Sequence, residues 1–226
     1  MVSNVTTPSP GHTLPYAHPG THGRASSYRR AAVLLLAIAL PTLTLVWHLR
    51  AQHTRQRTAA RVVAALGGQS RVQTDSTWHK LTPPRLRRYF DRLRAVTLAP
   101  HPPLDAGSLA ALAQARSIRD LDCSLVPLSD ADLATLTPLA DLRTLSLEAT
   151  VLTDAAAPTL ARFRKLERLD LRDTNLSDQS VPTLATLTTL RDLRIAGTAI
   201  TPAGERHLRA ALPTCTIDGV TPPTSR

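Results

Sequence analysis

Aromatic residues are scarce in this chain: two Trp, three Tyr and two Phe among 226 residues. A single-core globular domain of that length normally uses such rings for bulk, so their scarcity points to a core assembled from many small, equal pieces. Cysteine is limited to Cys123 and Cys215. Without a C-x-x-C pair, a zinc site is not expected. Lysine occurs only as Lys80 and Lys165, the other side-chain cations all being Arg, a bias read as genomic rather than as a binding site. No G-x-S-x-G, H-E-x-x-H, P-loop or dinucleotide fingerprint is present. No enzyme activity, cofactor or small-molecule substrate is therefore expected.

The formal charge is +10, which invites a nucleic-acid reading. Its distribution argues otherwise. Residues 1–92 carry a balance of +11, residues 93–218 a balance of −2, and Arg226 supplies the last charge. The excess flanks Ala31–Leu49 (AAVLLLAIALPTLTLVWHL), a 19-residue stretch without formal charge, where anionic headgroups would attract it. No nucleic-acid partner is expected. As a helix the stretch spans about 28 Å, close to the hydrocarbon thickness of a bilayer. Tyr28 and Trp47 stand at its ends, and Thr42 and Thr44 follow Pro41, where their hydroxyls can help satisfy the carbonyl that proline frees. It reads as a single-pass transmembrane helix rather than a cleaved signal, because no small-x-small site follows it. Orientation stays open: three Arg precede it closely and four follow.

Residues 1–30 are rich in Pro, Gly, Ser and Thr and read as a disordered tail. His12, His18 and His22 lack Cys or carboxylate companions, so no metal is expected there. Residues 51–92 read as a basic juxtamembrane region and cap: an amphipathic helix from Ala51 to Leu66 ending at Gly67-Gly68, then a second helix over Pro84–Leu93. Tyr89 and Phe90 of the second are available to cover the first repeat.

The remainder is periodic. Four segments starting at Ile118, Leu142, Leu166 and Leu190 align at 24-residue intervals, a fifth at Leu93 fits with one insertion, and Leu212 reopens the pattern before residues 219–226 trail off. Each begins L-x-x-L-x-L, the alternation of a short half-buried strand. A further apolar position follows (Leu128, Leu152, Leu176, Ile200), then a helix start: Ser129-Asp130, Thr153-Asp154, Ser177-Asp178, Thr201-Pro202. Ser or Thr caps orphan amides, and Asp or Pro in the first turn suits the helix dipole. Leu133, Leu136 and Leu139, or Val181, Leu184 and Leu187, then form an inward stripe. A strand, a turn and a short helix in a unit of this length make a leucine-rich repeat, which buries its apolar face only by stacking. The expected fold is an α/β solenoid over residues 93–218, a parallel strand ladder with short convex helices, preceded by the transmembrane helix.

With units of this kind the chain resembles bacterial membrane-anchored leucine-rich-repeat proteins reading L-x-x-L-x-L-x-G-T-x-[VI]-T-D. Gly197-Thr198-Ala199-Ile200-Thr201 is the nearest match and Thr150-Val151-Leu152-Thr153-Asp154 is close. The resemblance implies repeats lying outside the cytoplasm. The slot often filled by Asn or Cys holds Val126, Thr150, Thr174 and Thr198; Val126 cannot bond loop backbone, so its turn should be looser. Pro158 and Pro182 should make their helices short or late. Cys123 and Cys215, both read as inward strand positions four strands apart, would lie about 19 Å from each other, beyond disulfide reach.

Strand residues pointing away from the core give the candidate site: Asp120, Thr144, Arg168 and Asp192; Asp122, Ser146, Asp170 and Arg194; and Ser124, Glu148 and Arg172. On a concave solenoid face these would bind a protein or envelope polymer. The plainer reading is a solvated ladder in which Arg119, Arg143, Arg168, Arg172, Arg191 and Arg194 neutralise the carboxylates. Two other functions stay open: a structural envelope spacer without a ligand, and a basic membrane-proximal binder of lipid or nucleic acid.

Overall fold

Each repeat returns the chain to the same height, one strand further along, and the backbone shows that spacing directly. The computed structural model describes residues 22–74, 91–100 and 105–219, with side chains in the first helix from Ala37 onward, Ile38 aside. The chain divides into two units, Met1–Val46 and Trp47–Arg226. Helix α1 (His22–Ala65) contributes to both; its 44 residues hold the whole of Ala31–Leu49. Among the described residues no helix is long and apolar enough to cross a membrane. Pro41 lies inside α1, and the hydroxyls of Thr42 and Thr44 donate to the carbonyls of Ala39 and Pro41 at 2.9 Å.

In the second unit α1 ends where the glycine pair predicts. Gly68 N–H donates to Val63 O and Gly67 N–H to Ala64 O, with Gly67 at φ +70, a left-handed helix stop. Gly68 has a second reason to be glycine: a Cβ there would meet Thr97 O at 2.6 Å. Ala59, Val63 and Leu66 are buried with Leu93, Val96 and Leu98, so the tail of α1 covers the start of the repeats.

Strand β1 (Gln69–Thr74) then pairs antiparallel with β2 (Asp91–Thr97). This corrects the expected second helix over Pro84–Leu93: Asp91, Arg92 and Leu93 are strand, and the rest of that segment, with Tyr89 and Phe90, lies outside the described residues. The apolar positions Leu93 and Val96 belong to the sheet, which overrides any local helical preference. From β2 onward every pairing is parallel, through β3 (Asp120–Asp122), β4 (Thr144–Ser146), β5 (Arg168–Asp170), β6 (Asp192–Arg194) and β7 (Thr216–Asp218), in sequence order. Ala95 faces Asp120, Asp120 faces Thr144, and each later partner is again the equivalent residue of the next repeat. The single insertion inferred in the first repeat is thus absorbed before β3.

The other wall is built of short helices: α2 (Ala106–Ala113), α3 (Asp130–Thr135), a 3-10 turn (Asp154–Ala156) running into α4 (Ala157–Leu160), α5 (Val181–Leu184) and α6 (Pro202–Ala211). Pro158 and Pro182 fall in the first turns of α4 and α5, which are accordingly short. Between the walls lie stacked columns such as Val96, Leu121, Leu145, Leu169, Leu193 and Ile217, all buried. Among the described residues Phe163 is the largest fully buried side chain, in the column of Leu139 and Leu187. At roughly 2 kcal/mol per buried leucine, no single residue holds the fold; the repetition along each column does.

The turn after each strand repeats as faithfully. Leu125, Ala149, Asp173 and Gly197 all have φ between 53 and 75, and the first three donate their amides to Glu148, Arg172 and Ala196 of the next repeat. Thr150, Thr174 and Thr198 donate to the carbonyls of Leu147, Leu171 and Ile195 at 2.7 Å. Val126 lacks a hydroxyl, yet its turn is not looser: its amide reaches Cys123 O at 3.2 Å, against 3.3 Å for Thr198 and Ile195. Burial of Val126 and the shared backbone geometry substitute for the side-chain bond.

The closing strand corrects another expectation. Ile217 pairs with Leu193, so the repeat count persists and Cys215 precedes the strand, half-buried. Leu212 instead closes α6 as a buried cap. Both cysteines are free; burial pushes the Cys123 thiol up to about 12.

The Ser/Thr-Asp pairs do more than start helices. Each hydroxyl caps its own turn, as Thr153 does for Ala155 N–H. Each Asp reaches the next repeat: Asp130 accepts from Thr153 N–H and Oγ1, Asp154 from Ser177, and Asp178 from Thr201, all at 2.6–2.9 Å. Replacing Asp154 with Ala should cost about 1–2 kcal/mol by stranding the Ser177 donors, measured by urea unfolding; an unchanged midpoint would refute the clamp. The bonds from Thr201 hold the Asp178 carboxyl below its ordinary 3.8. Its folded value being depressed, its contribution is complete above the ordinary value and is lost as pH falls through the lower, folded one. Asp178→Ala should therefore be less stable than the parent at neutral pH and lose less on acidification below about pH 4. Parallel stability curves for the two proteins across that window would contradict this.

Candidate functional site

Four adjacent strands present the candidate residues in the rows the alternation predicts. Asp120, Thr144, Arg168 and Asp192 are in register, as are Asp122, Ser146, Asp170 and Arg194. The residue between each pair (Leu121, Leu145, Leu169, Leu193) is buried, so the period of two aims every one of these side chains off the core. Ser124, Glu148 and Arg172 stand two residues beyond and make the third row. All of them except Asp120 line a shallow hollow of about 330 Å³ on the strand face.

Its polarity is graded. At the β3 end, Asp122 Oδ1 accepts from Ser124 N–H and Oγ, at 3.0 and 2.7 Å, and the hydroxyls of Ser124 and Ser146 meet at 2.8 Å. In the centre Arg172 is a clamp. Its Nη2 bonds Glu148 and Asp170, each at 2.7 Å, and its Nε bonds Asp170 Oδ1 at 2.9 Å. These bonds raise the guanidinium pKa still further, the Asp170 hydrogen bond most of all. Arg194 lies 3.5 Å from Asp170 and 3.8 Å from Asp192. Asp170, facing two arginines of successive repeats, is the least exposed charge in the network.

The expected neutralising ladder is thus real for Arg172 and Arg194. Arg143 instead pairs with Glu167, away from the hollow, and among the described residues Arg119, Arg168 and Arg191 make no ion pair. Arg168 is therefore an exposed cation in the hollow, available to an incoming acceptor. Three residues escaped the sequence reading. Thr97 begins the Asp122 row, while Thr216 and Asp218 continue the two rows beyond Asp192 and Arg194. Reopening the pattern at Leu212 hid the last two; counting one full repeat on from Asp192 and Arg194 finds them.

Among the described residues no group of three His, Cys, Asp or Glu is placed to hold a metal ion. His12 and His18 and the side chain of His22 lie outside that set.

No protein-family model matches the chain, and no curated protein does. Among solved structures it is similar to a leucine-rich-repeat protein of Leptospira interrogans, with 22% identity, a TM-score of 0.39, and coverage of 49% of this chain and 27% of that one. It is also similar to an internalin of Listeria monocytogenes, at 18% identity, TM-score 0.38, and 54% and 45% coverage. The ectodomain of the receptor kinase SOBIR1 of Arabidopsis thaliana gives 15% identity, TM-score 0.38, and 66% and 82% coverage. The chain spans less than half the length of the first two. Likeness at this level speaks to neither partner nor activity.

The Arg172 clamp is directly testable. Arg172→Met keeps most of the stem but leaves Glu148 without its cation, and at this partial exposure should cost about 1 kcal/mol. The loss should shrink in 1 M salt; equal denaturation midpoints for both proteins at low salt would show the clamp to be energetically idle.

Proposed function

We propose that this chain is a membrane-anchored interaction module whose strand face holds a protein or envelope-polymer partner. One observation carries the reading: ten polar or charged side chains, drawn from four successive strands and the turns after them, converge on one hollow, with Arg168 exposed there and without an ion pair among the described residues. The Arg172 clamp, which a solvated neutralising ladder would also contain, fixes Asp170 and Glu148 in place before any ligand arrives and so lowers the ordering cost of binding. With few aromatic anchors, the contact is polar and of modest strength.

The anchor rests on the uncharged run of Ala31–Leu49 and on the exposed side chains of α1 within it. Leu40, Leu43, Leu45, Val46 and Trp47 are all exposed, which is costly in water and favourable in lipid. We place the repeats outside the cytoplasm of a bacterial cell. The competing reading is a spacer with no discrete ligand.

A C-terminally tagged chain should sediment with membranes, resist carbonate extraction, and lose its tag to protease once the outer envelope is opened. Protection until the inner membrane is lysed would put the repeats on the other side. Cross-linking to envelope material should then fall at least tenfold on combining Arg168→Glu, Asp170→Arg and Arg194→Glu, and persist when Pro158 and Thr159 of the helical wall are replaced. Unchanged cross-linking in the triple variant would favour the spacer.

A further inference from the structure

The residue after the first apolar position of each repeat forms a column of its own: Arg94, Arg119, Arg143, Glu167 and Arg191. Backbone bonds fix it. Arg119 N–H donates to Arg94 O, Arg143 to Arg119, Glu167 to Arg143 and Arg191 to Glu167, at 2.7–2.8 Å. The column therefore runs along one edge of the solenoid: Arg94 lies within β2, and the other four residues immediately precede β3, β4, β5 and β6. Arg116, Arg164 and Lys165 stand beside it, the last paired with Asp141 at 2.5 Å. That edge holds seven of the thirteen cations of residues 93–218 and two of their fifteen acids. It is +5, whereas the rest of the solenoid is −7. The clamp aspartates Asp130, Asp154 and Asp178 lie past the opposite ends of the strands, so the repeat domain has a built-in charge axis.

Two clefts open on the basic edge. One, about 630 Å³, is lined by Arg143, Arg164, Lys165 and Arg191 with Glu167 as its one acid. The other, about 310 Å³, brings Arg92 and Arg116 together with His48, Gln52 and Arg55 of α1, with Asp141, the partner of Lys165, as its one acid. Those α1 residues overlap or directly follow the uncharged run that ends at Leu49. The basic edge is thus continuous with the part of α1 that adjoins the run.

We propose that this arginine edge docks on anionic phospholipid headgroups, seating the solenoid edge-on at the bilayer with its strand face turned sideways. Charge complementarity and adjacency to the uncharged run select lipid over other polyanions; the seating rests on the anchor proposed above. Arginine suits the role because its planar fork bonds phosphate oxygens in pairs.

The test uses the full chain carrying Thr188→Cys, on the rim of the larger cleft, labelled with a fluorophore. Cys215→Ser removes the half-buried thiol, while buried Cys123 needs no replacement. Vesicles contain a headgroup-attached quencher in phosphatidylcholine, either alone or mixed with phosphatidylglycerol at two parts to one. Quenching should be several-fold stronger with phosphatidylglycerol and should collapse in 0.5 M salt. It should also collapse when Arg143, Arg164 and Arg191 become Ser, a change expected to weaken headgroup affinity about a hundredfold. The same label at Gln179→Cys, by the acidic clamps, should stay bright.

Equal quenching in both lipids, or no response to the triple substitution, overturns the proposal. So does loss of quenching in 10 mM inorganic phosphate at constant ionic strength, which would make the edge a free-phosphate site. The anchor is scored separately by flotation with phosphatidylcholine alone. If that fails, the edge is judged by whether flotation with phosphatidylglycerol vesicles is lost in the triple variant.

Discussion

Everything in the repeat domain depends on one register: each strand pairs in parallel with the next at an offset that is the same at every step after the first. Because hydrogen bonds set that offset, like residues stack on like. Buried leucines form columns, left-handed turn residues form a column, and so do the aspartate clamps and the polar rows of the strand face. A substitution anywhere in a column is felt by its two neighbours and little further, as expected of a quasi-one-dimensional fold.

The clamps show how local chemistry is turned to long-range use. Ser or Thr before a helix satisfies its own first turn, a purely local task. The following Asp has no such duty in this chain, and its two oxygens bind the equivalent Ser or Thr of the next repeat. The pair therefore acts twice, once along the chain and once across it. The strand face makes similar use of Asp170, which joins Arg172 of its own repeat to Arg194 of the next.

Most of this was legible in the sequence wherever the signal was periodic. Strand positions, the polar rows, the short proline-limited helices and the glycine stop of α1 follow from spacing and elementary stereochemistry. What was not legible lay where periodicity gives out. Asp91–Leu93 looks helical because its neighbours are charged and apolar at helical spacing, and only pairing with β1 makes it strand. Leu212 imitates a strand start because a helix-closing leucine and a strand-opening leucine are the same residue in different company. Val126 looks like a defect because a missing hydroxyl is visible in the sequence, whereas the backbone bond that its turn shares with that of Thr198 is not. The arginine column is visible in the sequence too. There it reads as a partner for the carboxylates, and it separates from them only when the strands show that it lies on a different edge.

The antiparallel strand β1 has a consequence for how such a chain could change length over generations. It occupies the free edge of β2, the place where an additional parallel unit would have to pair. A duplicated repeat inserted among the later ones would need only to preserve the count, and would carry its own rung of every column with it. One inserted ahead of β2 would have to evict β1 and rebuild the contact with Val63 and Leu66. Growth by duplication is therefore permitted inside the ladder and barred at its first rung, which makes the reach of the domain variable while its junction with the preceding helix stays constant.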